Sequence, residues 1–389
     1  MTAQDIVYVD NNATTRVAPE VFEAMVPFLT TEYANPSSPH PFAAAPASVV
    51  VSARESVAAL LGASADEIVF TSCGSESDNT AIRSALETQR GRNKVVTTVV
   101  EHPAVLTLCR FLEKHGVRVE YLPVDSRGRI SLSQAREVID EDTAIVSVMY
   151  ANNEIGNLYP VTELAEIAHE RGALFHTDAV QAVGKVPIDL SKTQIDFLSL
   201  SGHKLHAPKG IGALYVRRFT PYSTFLLGGH QERGRRAGTE AVANIAGLGK
   251  ACELALSHIG EEQTRVKAMR DRLERGLVAS CPDPLVNGDP EHRLPNTLNI
   301  CFRYIEGESI LLRMYQAAHI CASSGSACTS GSLEPSHVLR AIGLDYRSLH
   351  GSVRFSFSRY NQESDVDAIL ETLPGIVREL RALSPFGRD

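Results

Sequence analysis

The sequence predicts an α/β protein whose large domain has a mostly parallel central sheet, accompanied by a smaller α+β domain. From about residue 60 to 250, apolar runs of strand length alternate with amphipathic segments of helix length, a pattern typical of parallel strands joined by helices. After about residue 258 a long charged helix precedes shorter strands. The 389 residues exceed the usual size of one domain. We expect a large domain over residues 15–258 and a small one over residues 1–14 and 259–389.

The alternation is clearest between residues 94 and 176. In this part we expect strands at Lys94–Val100, Val117–Leu122, Ala144–Met149 and Ala173–His176, and helices at Ala104–His115, Ser131–Ile139 and Val161–Arg171. The third helix has apolar residues at i, i+3 and i+4 spacing and stops at Gly172. For the smaller domain we expect a helix at Glu261–Val278, strands at Thr297–Phe302 and Val353–Ser358, and a final helix after Asn361.

Composition excludes several classes of function. The formal net charge of −8 argues against a nucleic-acid surface, which needs clustered positive charge. The first residues lack a basic segment followed by an apolar core, and no run of about twenty apolar residues is present, so we expect a cytoplasmic protein without a membrane segment. The seven cysteines are scattered without CxxC pairs, which makes a disulfide scaffold or a structural zinc site improbable.

Three polar side chains follow three of the predicted strands. Lys204 comes after the apolar run at residues 195–200, Asp178 after the strand that ends at His176, and His102 after the strand that ends at Val100. A lysine alone would be a weak signal, because most lysines are solvated surface residues. The three together indicate a site at the strand ends.

Pyridoxal phosphate requires an amine for its imine, an anion for its pyridinium nitrogen and donors for its phosphate. Lys204 supplies the amine, and the carboxylate of Asp178 favours the charged pyridinium. The segment Phe70–Asn79 runs from a strand through small residues into a helix, an arrangement that binds phosphate. Within it Gly74 permits close approach and Ser75 adds a hydroxyl. The residues therefore predict a pyridoxal phosphate site.

Long motifs carry a resemblance over nearly the whole chain. They are VDNNATT (9–15), NPSS (35–38), FTSCGSESDN, VVEHPAVL, NNEIG (152–156), HTDAVQAVGKVPIDL, SGHKLHAPKG, GGHQERGRRAGTE and SSGSACTSGSLEPSHVLRAIG (323–343). With them the chain resembles a cysteine desulfurase of the NifS type, from the class V aminotransferase family of fold-type I pyridoxal phosphate enzymes. The resemblance implies the fold-type I architecture.

The resemblance also implies roles around the cofactor ring. Lys204 is the lysine that forms the imine, and Asp178 pairs with the pyridine nitrogen. His102 stacks on the ring face, where we consider it a hypothetical proton acceptor. Asn153 and Gln181 hydrogen-bond the ring oxygen and neighbouring groups.

A second set of roles concerns the phosphate. By the same resemblance Gly74, Ser75, Ser201 and His203 surround it. Thr239 resembles the threonine that reaches the phosphate of the neighbouring subunit, which implies a homodimer with shared active sites.

The remaining implied roles concern L-cysteine as the substrate. Arg354 resembles the arginine that binds the substrate carboxylate, with Asn153 nearby. Asn35 could border the access to the site, although Asn residues also build turns unaided. Cys328 matches the cysteine that takes the sulfur. Its loop, residues 322–333, consists almost entirely of small residues, so we expect it to be mobile.

The resemblance implies conversion of L-cysteine to L-alanine with a persulfide left on Cys328 for iron–sulfur cluster assembly. The residues within these motifs resemble the desulfurases that supply nitrogenase more than the housekeeping members of the family. This implies a NifU-type scaffold as the sulfur acceptor. Cys328 is then also a hypothetical transient ligand of a [2Fe–2S] cluster shared with that scaffold. The alternatives are a selenocysteine lyase, another aminotransferase-like pyridoxal phosphate enzyme, or a non-catalytic sulfur or iron–sulfur scaffold.

Overall fold

The computed structural model describes residues 6–324 and 335–385. Its strands are β1 (Val7–Tyr8), β2 (Ile68–Thr71), β3 (Lys94–Thr98), β4 (Arg118–Leu122), β5 (Thr143–Ser147), β6 (Leu174–Asp178), β7 (Phe197–Ser201), β8 (Gly212–Val216), β9 (Pro284–Val286), β10 (Thr297–Phe302), β11 (Ile320–Cys321) and β12 (Ser352–Ser356). Its α-helices are α1 (Pro19–Thr30), α2 (Ala44–Leu61), α3 (Gly74–Thr88), α4 (Pro103–Glu113), α5 (Leu132–Val138), α6 (Val161–Glu170), α7 (Val242–Glu261), α8 (Lys267–Ser280), α9 (Gly307–Ala318), α10 (His337–Ala341), α11 (Tyr346–Leu349) and α12 (Glu363–Leu383).

The central sheet has seven strands in the order β2-β8-β7-β6-β5-β3-β4. The pairs from β4 to β7 are all parallel, whereas β8 runs antiparallel to both β7 and β2. Only β8 is therefore reversed, and every other strand of this sheet ends at the same edge. This confirms the predicted α/β class with a mostly parallel sheet. The predicted elements between residues 94 and 176 are present, with ends shifted by at most two residues.

Helices cover both faces of the central sheet. Neighbouring residues of one strand enter different hydrophobic clusters, as Val95 and Val96 on β3 illustrate. Because successive side chains of a strand point to opposite faces, this alternation reflects burial on both sides. Helices α1, α2, α6 and α7 pack on one face, and α3 and α4 pack on the other. Continuous apolar runs were the sequence signal for such strands.

A second, antiparallel sheet of order β12-β10-β9 belongs to a separate hydrophobic cluster with helices α8, α9 and α12. The short strand β1 pairs with β11, so the N-terminal segment joins this part of the molecule. Strand β10 spans the predicted Thr297–Phe302, and β12 begins one residue before the predicted Val353. Beyond β1, the chain crosses to the central sheet, where the Thr15 N–H donates to the His203 carbonyl at 3.0 Å.

Helix α7 continues through a π-helical turn, Glu262–Val266, into α8. The sequence predicts a separate helix that begins at Glu261, close to the predicted boundary after residue 258. The chain remains helical there because buried side chains recur on the inner face, from Ala255 through Val266 to Met269. A π turn accommodates such a shift of face without ending the helix. The proposed domain boundary thus falls inside a helical run.

The stretch Pro41–Leu61 is the one helical segment among the described residues that could cross a membrane by length and composition. Its inner face, however, packs on α7 and contributes Val50, Ala53 and Val57 to the core. Arg54 on the same helix forms a buried ion pair with a carboxylate of a neighbouring loop. We therefore interpret it as a helix of the protein core.

Candidate active site

The loops that carry the predicted site residues lie at one edge of the central sheet, where its parallel strands end. This is the edge at which α/β proteins bind ligands, because the strand ends and the helix N-termini open there together. A cavity of about 280 Å³ lies at this edge. It is lined by Asn12, Ala13, Cys73, Gly74, Ser75, Asp78, His102, Met149, Ala151, Asn153, Asp178, Val180, Gln181, Ser201, His203 and Lys204.

Most of the residues predicted to hold a cofactor line this one cavity. They are Gly74, Ser75, His102, Asn153, Asp178, Gln181, Ser201, His203 and Lys204. They come from five separate loops that are distant in sequence, so the sheet topology brings them together.

Lys204 ends a short 3-10 turn, Gly202–Lys204, that directly follows β7. Its Nζ donates hydrogen bonds to the main-chain carbonyls of Asn12 and Ala13, both at 2.6 Å. The N-terminal segment therefore fixes the position of the amine at the cavity wall.

Asp178 is the last residue of β6 and is buried. Its Oδ1 accepts a hydrogen bond from the Val180 N–H at 2.9 Å. Burial, and then the charge of nearby Asp78, raises the pKa of Asp178 to about 6. A cation beside this carboxyl group would favour its ionised form. The protonated ring nitrogen of pyridoxal phosphate is such a cation.

Asp78 is a site residue that the sequence did not single out. It lies on α3 and lines the cavity. Burial raises its pKa to about 7. His176 lies 3.5 Å away and is neutral, because burial lowers its pKa to about 4. An aspartate on a helix normally indicates a solvated face, so only packing against the sheet distinguishes Asp78.

The first turn of α3 suits an anion. Gly74 begins this helix, and a Cβ at that position would lie 2.7 Å from Cγ2 of Val180. Glycine is therefore required for the loop to pack this closely. No side chain of the described residues caps the helix at Cys73, so its first N–H groups remain available for the phosphate of the cofactor.

His102 is the N-cap of α4. Its Nδ1 accepts a hydrogen bond from the Ala104 N–H at 3.1 Å. The neutral imidazole therefore carries its proton on Nε2. In this tautomer His102 can donate a hydrogen bond through Nε2, and it can take a second proton at Nδ1 only by giving up the cap bond. Its role as a proton acceptor stays a prediction.

Gln181 and Asn153 meet the N-terminal segment at Asn12. The Gln181 Nε2 donates to the Asn12 carbonyl at 2.9 Å, and the Asn12 Nδ2 donates to the Asn153 carbonyl at 3.1 Å. The Asn12 carbonyl thus receives hydrogen bonds from both Gln181 and Lys204. These contacts fix three walls of the cavity relative to one another.

Ser201 and His203, which were predicted to surround the phosphate, also line the cavity. Ser201 ends β7 and is buried, while His203 is hydrogen-bonded through Nδ1 to Oγ1 of Thr14 at 3.1 Å. Burial, followed by the positive charge of Lys204, lowers the pKa of His203 to about 4. His203 is therefore neutral near pH 7.

Arg354 lies on β12, behind the cavity wall, and its side chain is only 1% exposed. Its guanidinium donates to Oδ1 of Asp10 at 2.7 Å and to the carbonyl of Asn153 at 3.0 Å. It does not line the cavity directly. The contact with Asn153 nevertheless places a fixed cation next to the predicted substrate position.

The other predicted residues lie elsewhere. Thr239 is exposed and does not line the cavity of its own chain. Asn35 is exposed in a turn, where its Oδ1 accepts from the Ser37 N–H at 2.9 Å. Its role in substrate binding stays a prediction. Cys328 and most of its loop fall outside the described residues, so the expected mobility of this loop also stays a prediction.

Taken together, these groups fit pyridoxal phosphate: an amine, a buried carboxylate and an uncapped helix N-terminus surround one cavity. The described residues contain no group of three or more His, Cys, Asp or Glu side chains that could hold a metal ion. The fold and the site therefore define a pyridoxal phosphate enzyme of the α/β class.

Residues 7–369 match the model of the Aminotransferase class-V family. The chain belongs to this family, whose cofactor is pyridoxal phosphate. It is 60% identical over 382 residues to a cysteine desulfurase of Gluconacetobacter diazotrophicus, covering 98% of this chain and 95% of that protein. It is 57% identical over 381 residues to the cysteine desulfurase NifS of Azotobacter vinelandii, covering 98% and 94%.

Solved structures show the same similarity. A NifS-like protein superimposes with a TM-score of 0.90 at 38% identity, covering 96% of this chain and all of that one (100%). A structure described as SspA in complex with cysteine superimposes with a TM-score of 0.81 at 36% identity, covering 91% and 99%.

Proposed function

We propose that this protein is a pyridoxal phosphate-dependent cysteine desulfurase. It removes sulfur from L-cysteine, leaves L-alanine and collects the sulfur as a persulfide on Cys328. The observation that carries this proposal is the single cavity in which Lys204, Asp178 and His102 meet beside the fixed guanidinium of Arg354. Two relatives named cysteine desulfurase, each more than half identical over nearly the whole chain, support the same reaction.

When bound, pyridoxal phosphate supplies an electron sink for the carbanion formed at the substrate Cα. Asp178 would hold the proton of the ring nitrogen, and the first turn of α3 with Ser75, Ser201 and His203 would hold the phosphate. Lys204, anchored on two carbonyls, moves the Cα proton. His102 donates a hydrogen bond through Nε2.

Arg354 binds the substrate carboxylate, because a planar guanidinium held by Asp10 and the Asn153 carbonyl can still present N–H donors to a second carboxylate. The thiolate of Cys328 then attacks the substrate sulfur. The S–S bond forms as the C–S bond breaks, and the electron pair of that bond remains with carbon, which is released as alanine after protonation.

The function is tested by incubating the purified protein with L-cysteine and locating any added sulfur by mass spectrometry. We expect one extra sulfur atom on the peptide that carries Cys328, and equimolar alanine in the first turnover. Cys328→Ser should abolish both, whereas Cys321→Ser, the matched change at a described cysteine, should retain them. Alanine production at the parental rate by Cys328→Ser would contradict the persulfide route and favour a selenocysteine lyase or aminotransferase.

We infer that sulfur passes to a scaffold protein of the NifU type for iron–sulfur cluster assembly. Assays of direct sulfur transfer from the persulfide form to such a scaffold test this step. The 57% identity to the NifS of Azotobacter vinelandii supports a role in supplying nitrogenase. Cys328 would be the transient ligand of a [2Fe–2S] cluster shared with that scaffold. An unchanged rate of cluster transfer from preloaded complexes of Cys328→Ser would contradict this ligand role.

We further propose a cytoplasmic homodimer in which Thr239 of each chain completes the phosphate site of the other. The exposure of Thr239, away from its own cavity, supports this arrangement. The six described cysteines are all free thiols, which suits a reducing compartment. The division into a large domain (15–258) and a small domain (1–14 and 259–389) is likewise a proposal, supported by the separate sheets and hydrophobic clusters.

A further inference from the structure

A buried lysine next to the cavity has no role in the reaction described so far. Lys185 is 6% exposed, and its Nζ donates to both the main-chain carbonyl and the side-chain Oε1 of Gln181, each at 3.0 Å. A lysine is rarely buried unless its charge is compensated. Its position therefore requires an explanation.

Glu262, on the π turn between α7 and α8, is the carboxylate whose charge acts on Lys185. Burial lowers the pKa of Lys185, and the negative charge of Glu262 opposes this shift. The positive charges of Lys204 and Arg354 also act on Lys185. Lys185 and Glu262 line a cavity of about 20 Å³, which is large enough for one bridging water molecule.

The contact determines the orientation of the Gln181 amide. The oxygen and nitrogen of a glutamine amide have nearly the same shape, so only their partners decide which way the group faces. Lys185 Nζ makes two contacts with Gln181, and in its ammonium form it donates hydrogen bonds and accepts none. In that form the Gln181 atom that faces Lys185 is the oxygen, and the NH₂ group faces away.

The NH₂ group of Gln181 has two hydrogens. One is donated to the Asn12 carbonyl at 2.9 Å, which leaves the other for the cavity that Gln181 lines. We propose that Lys185 is a positioning residue that holds Gln181 as an obligatory hydrogen-bond donor toward the cofactor. The acceptor is the ring oxygen of pyridoxal phosphate, so this inference rests on the proposed function.

A hydrogen bond to the ring oxygen can be detected by a pH titration of the bound cofactor. A hydrogen bond to this oxygen weakens its attraction for the proton on the linkage between cofactor and Lys204. Loss of the bond should therefore raise the pH at which the visible absorption of the bound cofactor changes. We expect Lys185→Met to raise this midpoint by about one pH unit, which is the effect of losing one hydrogen bond to a charged group. Lys192→Met, a matched change at a lysine that is 80% exposed, should leave it unchanged.

A double-mutant cycle separates positioning from a general structural effect. If Lys185 acts through Gln181, Gln181→Leu should raise the midpoint by a similar amount, and Lys185→Met combined with Gln181→Leu should raise it no further. Additive shifts, or an unchanged midpoint in either single variant, would overturn the role of Lys185. If Lys185→Met does not fold, Lys185→Gln provides the same test, because its amide lets Gln181 adopt both orientations; an unchanged midpoint would again overturn the inference.

These outcomes are distinct from failure of the proposed function. In that case the parental protein itself would bind pyridoxal phosphate without producing alanine or a persulfide from cysteine. The spectroscopic cycle reports only on the ring oxygen and its donors.

Discussion

At the residue scale, the site consists of side chains whose charges depend on burial and on one another. Asp178 is accompanied by a second buried carboxyl group, Asp78, and Arg354 is held by Asp10. Main-chain carbonyls of the N-terminal segment hold Lys204. Each functional group therefore depends on a neighbour that does no chemistry itself.

Arg354→Lys should lower kcat/KM for L-cysteine by about 10- to 100-fold. Lysine lacks the planar guanidinium, so one hydrogen bond to the substrate carboxylate is lost. Cofactor absorption should remain, since Arg354 does not line the cavity. Steady-state alanine production measures the effect. Arg272→Lys on the surface is the control, and an equal loss in both variants would contradict carboxylate binding by Arg354.

Asp78→Asn should change the pH dependence of stability in the cofactor-free protein. The folded-state pKa of Asp78 is raised from 3.8 to about 7 by burial, so the unfolded chain releases this proton first and stability falls as pH rises between these values. Asparagine does not ionise, so the variant does not lose stability in this way as the pH rises. Its free energy of unfolding relative to the parent should increase by about 1–3 kcal/mol from pH 4 to pH 8.

Urea unfolding at several pH values measures this difference. Asp142→Asn, at an exposed carboxylate, is the control and should show little pH dependence. A difference between Asp78→Asn and parent that stays constant from pH 4 to pH 8 would show that Asp78 does not titrate there.

At the scale of elements, buried polar contacts fasten loops to the sheet. Glu232 lies in a turn with positive φ (48°) and accepts two hydrogen bonds from Arg54 of α2, at 2.6 and 2.7 Å. It also accepts from the Phe70 N–H of β2 at 2.9 Å. The neighbouring Arg236 pairs with Glu76 on α3. The loop that leads to Thr239 is thereby anchored beside the predicted phosphate site.

Glu232→Gln should destabilise the protein by about 3–5 kcal/mol, because it leaves the cation of Arg54 buried without a counter-charge. Chemical denaturation gives the free energy of unfolding. The exposed pair of Arg218 and Asp66 is the control, since Asp66→Asn should change stability by less than about 1 kcal/mol. Similar effects at both positions would contradict a special role for the buried pair.

At the scale of the whole molecule, much apolar surface remains exposed on the single chain. Large examples are Phe22 and Leu29 on α1, at 59% each, Tyr33 at 71% and Leu227 at 85%. Exposed apolar side chains that form one patch often mark a protein–protein interface. The exposure of these four residues is consistent with the proposed dimer, in which the loop with Thr239 faces a second chain.

Subunit mixing tests this arrangement. Thr239→Ala should weaken cofactor binding by about tenfold, because one hydrogen bond to phosphate is lost. A dimer of one Thr239→Ala chain and one Lys204→Ala chain has an intact site if Thr239 acts across the interface. We expect activity at limiting cofactor to exceed that of either homodimer. Thr239 would instead act within its own chain if mixing restored nothing.

The sequence determined the α/β class, because strands that are buried on both faces have continuous apolar sequences, and these alternate with amphipathic helices. Long motifs also identified Lys204, Asp178 and His102, which the sheet brings to one cavity. Tertiary structure alone decided the contacts of Asp78 and Lys185, since the charge of a buried group depends on neighbours far away in the chain. It also decided which nitrogen of His102 carries the proton, because a local hydrogen bond, and not the residue type, fixes the tautomer.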